Sequence, residues 1–329
     1  MKQPAANASK SYSIVISPPD FFTYEPYEDF EKYLLECWVS ASKVFSKFEF
    51  YYNQDKITIV TDWKKFKPQF KYSIDNADEL IITVTGNATL IKSFSEYFVI
   101  RFIEMMYITM NLAAPGTFNI FDATLKCIEG ESLLVNGFGV SLSSNPFEHF
   151  WETCGELNHW PKVSFMPLDK VVDWYKELNI TLKAKATTNV ERCLFSLINF
   201  GKDHAPFSPP SLIWITHSLE ALYDTPKEGV LNALRNRLFL FLGEPASHKN
   251  EYKKKINALY ELRSQFVHGS MEVAREPFFE NIDKDVEVYM RYLSDTCDFG
   301  IMLLVATLQK IIIEKGKELK FHEQYKVAE

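Results

Sequence analysis

The sequence predicts an α+β domain followed by an all-α helical bundle. In the first half, apolar residues switch between a helical period and two-residue alternation. Beyond about residue 187 only the helical period remains, interrupted by prolines and glycines. The chain's 329 residues also exceed the usual size of one domain, so a boundary is expected. The change of texture places it at 165/166: an α+β domain over 1–165, and a bundle with its lead-in helices over 166–329.

The elements follow in order. Residues 1–12 read as a disordered tail. Over 27–47, Phe30, Tyr33, Leu34, Trp38, Ala41 and Phe45 repeat at helical spacing. Strands at 48–52 and 57–63 are joined by Asn53-Gln54-Asp55 as a hairpin turn, and a third strand at 80–85 is closed by Gly86-Asn87. A long helix after Thr89 stops at Pro115-Gly116. Segments 118–128 and 133–142 form another hairpin around Glu129-Gly130-Glu131. Gly137-Phe138-Gly139 lacks the third glycine of a dinucleotide fingerprint. His149, Cys154 and His159 stand at five-residue steps that do not line one helix face, so packing and surface positions explain them better than zinc.

A connector over 144–187, with Pro146, Pro161 and Pro167, contains a short helix at 168–178. Thr188-x-x-Glu191 is a capping box opening a helix to about residue 200. Pro206, Pro209 and Pro210 break the chain, and a helix runs from Ser211 to about Asp224. Thr225-Pro226-Lys227-Glu228 starts the next one, on which Val230, Leu234, Arg237 and Phe241 share a face before Gly243. After a loop over 270–281 with Pro277, a last helix spans 283–315.

Composition bounds the function. Hydrophobic content of 47% with 15% aromatic residues is enough for two packed cores. A net charge of −7 excludes a generic polyanion binder, so any nucleic-acid contact must be local. Cys37, Cys127, Cys154, Cys193 and Cys297 never form a C-x-x-C pair, which suits reduced thiols in a cytoplasmic protein. The first residues carry no apolar run and do not read as a secretory signal. The most apolar helix, near 93–112, is interrupted by Glu96, Arg101 and Glu104 and reads as a core helix rather than a membrane span. No metal, cofactor or membrane is expected.

The most informative stretch is one amphipathic helix over 248–269. Ile256, Leu259, Tyr260, Phe266 and Val267 form its buried stripe. Arg263 lies on that stripe, where a guanidinium must be paired or face a wet cleft. His268 ends the helix and Gly269 supplies the left-handed C′ residue. Lys249, Lys253, Lys254, Lys255 and Arg263 face only Glu251 and Glu261, giving either a face able to hold a few phosphates or an ordinary solvated one.

Tyr260-Glu261-Leu262-Arg263-Ser264-Gln265-Phe266-Val267-His268-Gly269 resembles the signature helix of HEPN domains, in particular the ApeA-like group with its Tyr-x-x-Arg-Ser-x-x-Val-His-Gly pattern. Ser218-Leu219-Glu220-Ala221-Leu222 and the 235–243 segment RNRLFLFLG resemble that family's earlier helices, and the similarity covers residues 188–316. The resemblance implies an HEPN-like bundle that forms a homodimer and acts as a metal-independent endoribonuclease. Its substrate would be RNA, with tRNA among the candidates, and its setting prokaryotic anti-phage defence or toxin-type growth arrest. An antitoxin or trigger protein would be a further partner, with the N-terminal domain sensing or regulating. Some HEPN domains lack nuclease activity, so a non-catalytic dimerisation, nucleotide-binding or protein-binding module is the other expectation.

The same resemblance makes Arg263 and His268 the catalytic pair. An imidazole titrates near neutrality and can act as base or acid, whereas a guanidinium stays charged and stabilises a phosphorane. Five residues of helix turn through about 500°, so the two side chains point roughly 140° apart. A cleft between two protomers, or unwinding at Gly269, would bring them together. Ser264 either positions the phosphate or allows close helix approach, and Tyr260 either stacks on a base or packs. Lys253, Lys254 and Lys255 would hold the RNA backbone. Glu220 and Arg237 are either a pair supporting Arg263 or a structural salt bridge.

Overall fold

The computed structural model describes residues 6–16, 28–63, 78–128, 138–147, 160–202, 208–274 and 283–322. The chain divides into two compact units, Met1–Glu148 with Phe165–Ala184, and His149–Ser164 with Lys185–Glu329. The boundary is therefore not the single cut at 165/166 that the sequence suggests. The chain passes from one unit to the other three times.

Among the described residues, the first unit is an antiparallel sheet with three α-helices. Its strands are β1 (Asn7–Ile16), β2 (Lys47–Tyr52), β3 (Asp55–Asp62), β4 (Asp78–Asn87), β5 (Ile120–Cys127) and β6 (Phe138–Leu142), in the order β2-β3-β4-β1-β5-β6. Asn53 and Gln54 both have positive φ (48° and 73°), which lets a two-residue turn follow the twist of the β2–β3 hairpin. β1 corrects the expectation of a disordered tail: it is an interior strand, paired with β4 from Asn7↔Asn87 to Ile16↔Asp78. Tyr12, Ile14 and Ile16 point inward and are buried. The partner face carries Ser9, Ser11 and Ser13, so half of the strand shows no apolar signal.

The helices of this unit are α1 (Glu28–Val44), α2 (Ala88–Ala113) and α3 (Leu168–Leu178). α2 starts at Asn87, whose side chain accepts from the Thr89 N–H, and buries Phe98, Val99, Phe102, Met105 and Met106. The charges that interrupt it are accommodated locally, since Arg101 donates to the buried Glu104 carboxylate at 2.5 Å. Tyr12 Oη lies 2.6 Å from Ser95 Oγ, tying β1 to α2. α2 ends as expected at Pro115-Gly116, and the fully buried Asn111 organises the turn. Its Nδ2 donates to the Tyr107 and Phe118 carbonyls (both 3.0 Å), and its Oδ1 accepts from the N–H groups of Gly116 (3.0 Å) and Phe118 (3.3 Å). α3, expected as a lead-in to the bundle, instead packs on α1 and α2. The Met166 N–H donates to the Ala113 carbonyl at 2.8 Å, and Tyr97 Oη donates to the Leu182 carbonyl at 2.8 Å.

The second unit is helical: α4 (Asn189–Gly201), α5 (Pro209–Leu222), α6 (Val230–Leu242), α7 (Lys249–Val267) and α8 (Lys284–Ile313). The Thr188/Glu191 capping box forms as the sequence predicts. α5 begins two residues early, with prolines in its first turn, where a missing N–H costs nothing. α6 begins late: Gly229, at φ 68°, precedes it, and residues 225–228 stay outside the helix. Trp160 ties its own position to the helices, donating from Nε1 to the Gly243 carbonyl at 2.8 Å and packing on Phe239 and Tyr252. Ser164 and Gln309 exchange two hydrogen bonds, at 3.0 and 2.7 Å.

α8 is the axis of this unit. By length and composition it could cross a membrane, but 83% of its most apolar window is buried inside the structure. Asp283 caps it, accepting from the N–H groups of Asp285 and Val286. Gly300, on α8, meets α5 and α7 closely. A Cβ there would lie 2.5 Å from Ile215 Cγ2 and 3.3–3.4 Å from the Leu259 methyls.

Two substitutions test these joints by thermal or denaturant melting. Helix propensity alone makes Gly300→Ala stabilising by about 1 kcal/mol. Overpacking against the branched Ile215 should reverse that sign, with a net loss of about 1–3 kcal/mol. A gain in stability would mean that the helices do not approach this closely. Asn111→Ala should cost about 2–4 kcal/mol, because it strands buried backbone groups of the 114–118 turn. A loss below about 1 kcal/mol would contradict that role.

Candidate functional site

α7 is held by the buried row Ile256, Leu259 and Leu262, and it packs against α5, α6 and α8. The expected stripe is thus displaced. Leu262 belongs to it, Phe266 is only half-buried and Val267 is 49% exposed. The last turn of α7 is less covered than the turns before it. Tyr260 and Arg263 lie beside the buried row, each partly covered.

Helix spacing puts Tyr260 and Arg263 one turn apart on neighbouring positions of the surface. The Arg263 Nε–H is sealed from water and has no hydrogen-bond partner among the described residues. The Tyr260 hydroxyl is in the same condition. Burial pushes the Tyr260 phenol well above the usual tyrosine range, the neighbouring Glu220 carboxylate of α5 pushes it further, and Arg263 acts in the opposite sense. Glu220 therefore faces Tyr260, though the pair does not close into hydrogen-bond geometry. Glu220 and Arg263 form no ion pair with each other. The expected neighbourhood of Glu220 and Arg263 exists, with Tyr260 as its common member.

Arg237 does not belong to this group, contrary to the expected Glu220–Arg237 pair. Its Nη1 donates to the Tyr223 carbonyl at 2.8 Å and to the Asp224 carbonyl, and its guanidinium lies 4.9 Å from the Phe321 ring centroid. It closes the free carbonyls at the end of α5, a backbone task for which spacing gives no signal.

His268 is exposed and caps α7. Its N–H donates to the Ser264 carbonyl at 3.0 Å, so the helix persists through His268. Gly269, at φ 73°, then turns the chain. The Gly269 N–H reaches Phe266 O at 3.3 Å and the Ser270 N–H reaches Gln265 O at 2.9 Å, which is the Schellman arrangement. Unwinding starts after His268 and does not swing the imidazole toward Arg263. On a helix regular to that point, the two side chains stay roughly 140° apart.

The basic face is divided. Lys249 is held by Glu244 at 2.5 Å and lies over the Phe239 ring. Lys255 lies over the rings of Phe299 (5.5 Å) and Tyr252 (5.9 Å). Lys253 is half-buried, whereas Lys254 and Ser264 are exposed. Residues 129–137, with Gly137, and His149, Cys154 and His159 lie outside the described residues. Sequence reasoning missed the link between Tyr260 and Glu220, because it depends on how α5 is set against α7.

No family model, no curated protein and no solved structure matches this chain. The HEPN resemblance therefore rests on the residues named for it.

The Schellman turn gives a local test. Gly269→Ala forces a Cβ into the left-handed region at a cost of about 1–2 kcal/mol. Amide exchange at Ser270 and Met271, both bonded to the Gln265 carbonyl, should quicken while the core of α7 around Ile256 keeps its protection. Unchanged exchange at both amides would contradict the assigned turn.

Proposed function

We propose that the chain is a metal-independent endoribonuclease of the HEPN class, cutting RNA at a composite site built from Arg263 and His268 of two copies. The observation that carries this reading is the state of Arg263. Its buried Nε–H is unclaimed, which is costly unless an anion is to be bound. Five residues further on stands an exposed imidazole, that of His268. Their divergence on a helix that stays regular argues for pairing between copies rather than within one. Val267, exposed beside His268, offers an apolar contact for a second copy.

The chemistry follows from these groups. One His268 takes the proton of the RNA 2′-hydroxyl, and that oxygen attacks the adjacent phosphorus. The bond from phosphorus to the 5′-oxygen breaks, and the second His268 protonates the leaving oxygen, giving a 2′,3′-cyclic phosphate. The Arg263 side chains hold the equatorial oxygens and stabilise their growing charge. Lys254 and Lys253 guide the RNA backbone, and Ser264, exposed on the same turn, contacts phosphate. By the resemblance, the enzyme acts in the cytoplasm in defence or growth arrest, with tRNA among its substrates, under an antitoxin or trigger protein. The first unit then carries the sensing role.

The test is cleavage of RNA in EDTA. Arg263→Ala and His268→Ala should each lower the rate by at least about a hundredfold. Equal rates in wild type and both variants would remove the site. Intact RNA with all three proteins would favour a non-catalytic binding or dimerisation module.

A further inference from the structure

We propose that Arg235, with Lys253 beside it, holds a backbone phosphate of the RNA at a place away from the bond that is cut. The inference rests on the nuclease reading and adds a second contact for the same strand. Arg235 is half-buried on α6. Its Nη1 donates to Oδ1 of Asn257, on α7, at 3.2 Å, and its Nη2 donates to Oδ1 of Asn232. Both partners are neutral amides, and Arg235 forms no ion pair among the described residues. Two amides orient a guanidinium without cancelling its charge, and they leave part of its five-donor fork for phosphate oxygens.

The packing of α6 on α7 supplies a second cation and a direction. Phe239, four residues beyond Arg235 on α6, lies under Lys249, so the two helices run antiparallel here. Lys253 is four residues past Lys249 and four before Asn257, which sets it between these two contacts on the α6 side of α7. It is half-buried and has no carboxylate partner among the described residues. The face of α7 that meets Arg235 continues toward the helix end. Ser264 is seven residues past Asn257 and His268 eleven, close to two and three full turns. At 1.5 Å of rise per residue, Asn257 and His268 stand about 16 Å apart along the axis, too far for one phosphate to touch both. Glu261 is the carboxylate on this face; it accepts from Gln265 Nε2 at 3.4 Å. Helix geometry puts it on the side away from Lys253, so a strand running from Arg235 past Ser264 to His268 avoids it.

The experiment measures binding of a single-stranded 2′-O-methyl RNA oligonucleotide, which lacks the attacking hydroxyl, to the full chain over a range of salt concentrations. Arg235→Gln should weaken binding about tenfold at low salt and flatten the slope of log K against log salt by about 0.7, the share of one lost phosphate contact. Asn257→Ala removes the tie between the helices but keeps the cation, so it should leave the slope unchanged. A slope unmoved by Arg235→Gln, or lowered as much by Asn257→Ala, would overturn the inference, as would a wild type that does not bind the oligonucleotide. The two readings separate cleanly. Cleavage that needs Arg263 and His268, with a slope indifferent to Arg235→Gln, keeps the nuclease and removes this contact. An Arg235-dependent slope in a protein that cuts no RNA keeps the contact and removes the nuclease.

Discussion

The geometry of the second unit depends on one close approach. Gly300 lets α8 lie against Ile215 of α5 and Leu259 of α7 with no room for a Cβ. A glycine in a helix interior sacrifices intrinsic stability, so its presence there marks a place where backbone approach outweighs propensity. Because α8 is buried along its second half, from Thr296 to Ile312, it sets where α5 and α7 can sit. Glu220 is five residues beyond Ile215, Tyr260 follows Leu259 directly, and Arg263 is four residues beyond Leu259. The packing contact and the polar group are thus neighbours in both helices, and a shift at one must move the other.

The consequence is electrostatic. Arg263 is placed where part of its guanidinium has lost water without gaining a partner, beside a buried phenol that is likewise unpaired among the described residues. Such a group is out of balance in the free protein, and an anion restores the balance. Cysteine chemistry is not part of this picture. Cys37, Cys193 and Cys297 are buried, and burial raises all three thiols, Cys37 to about 12. They stay protonated and act as small packing residues.

Much of this was legible in the sequence because the deciding forces were local. The α4 capping box, the stop of α2 at Pro115-Gly116 and the left-handed Gly269 each follow from backbone chemistry within a few residues. β1 was not legible, since its outward serines hide the alternation and its pairing partner lies some seventy residues away. The stripe of α7 was read rightly at Ile256 and Leu259 but carried on to Phe266 and Val267 in place of Leu262, because periodicity does not tell where a covering helix ends. Arg237 was misjudged for a similar reason. Its partners are carbonyls at the end of another helix, and side-chain patterns do not report them. For the site, the residue types were readable, whereas the place of Tyr260 between Glu220 and Arg263 needed the packing of α5 on α7.

The central claim is that two copies complete one site, and a mixing experiment addresses it most directly. Wild-type protein is mixed with an excess of the Arg263→Ala/His268→Ala double variant, and the two are allowed to exchange subunits. Each wild-type chain in a mixed pair then lacks the second His268 and the second Arg263, so RNA cleavage per wild-type chain should fall as mixed pairs accumulate. A mixture that exchanges subunits yet keeps the full wild-type rate per wild-type chain would contradict a site shared between copies.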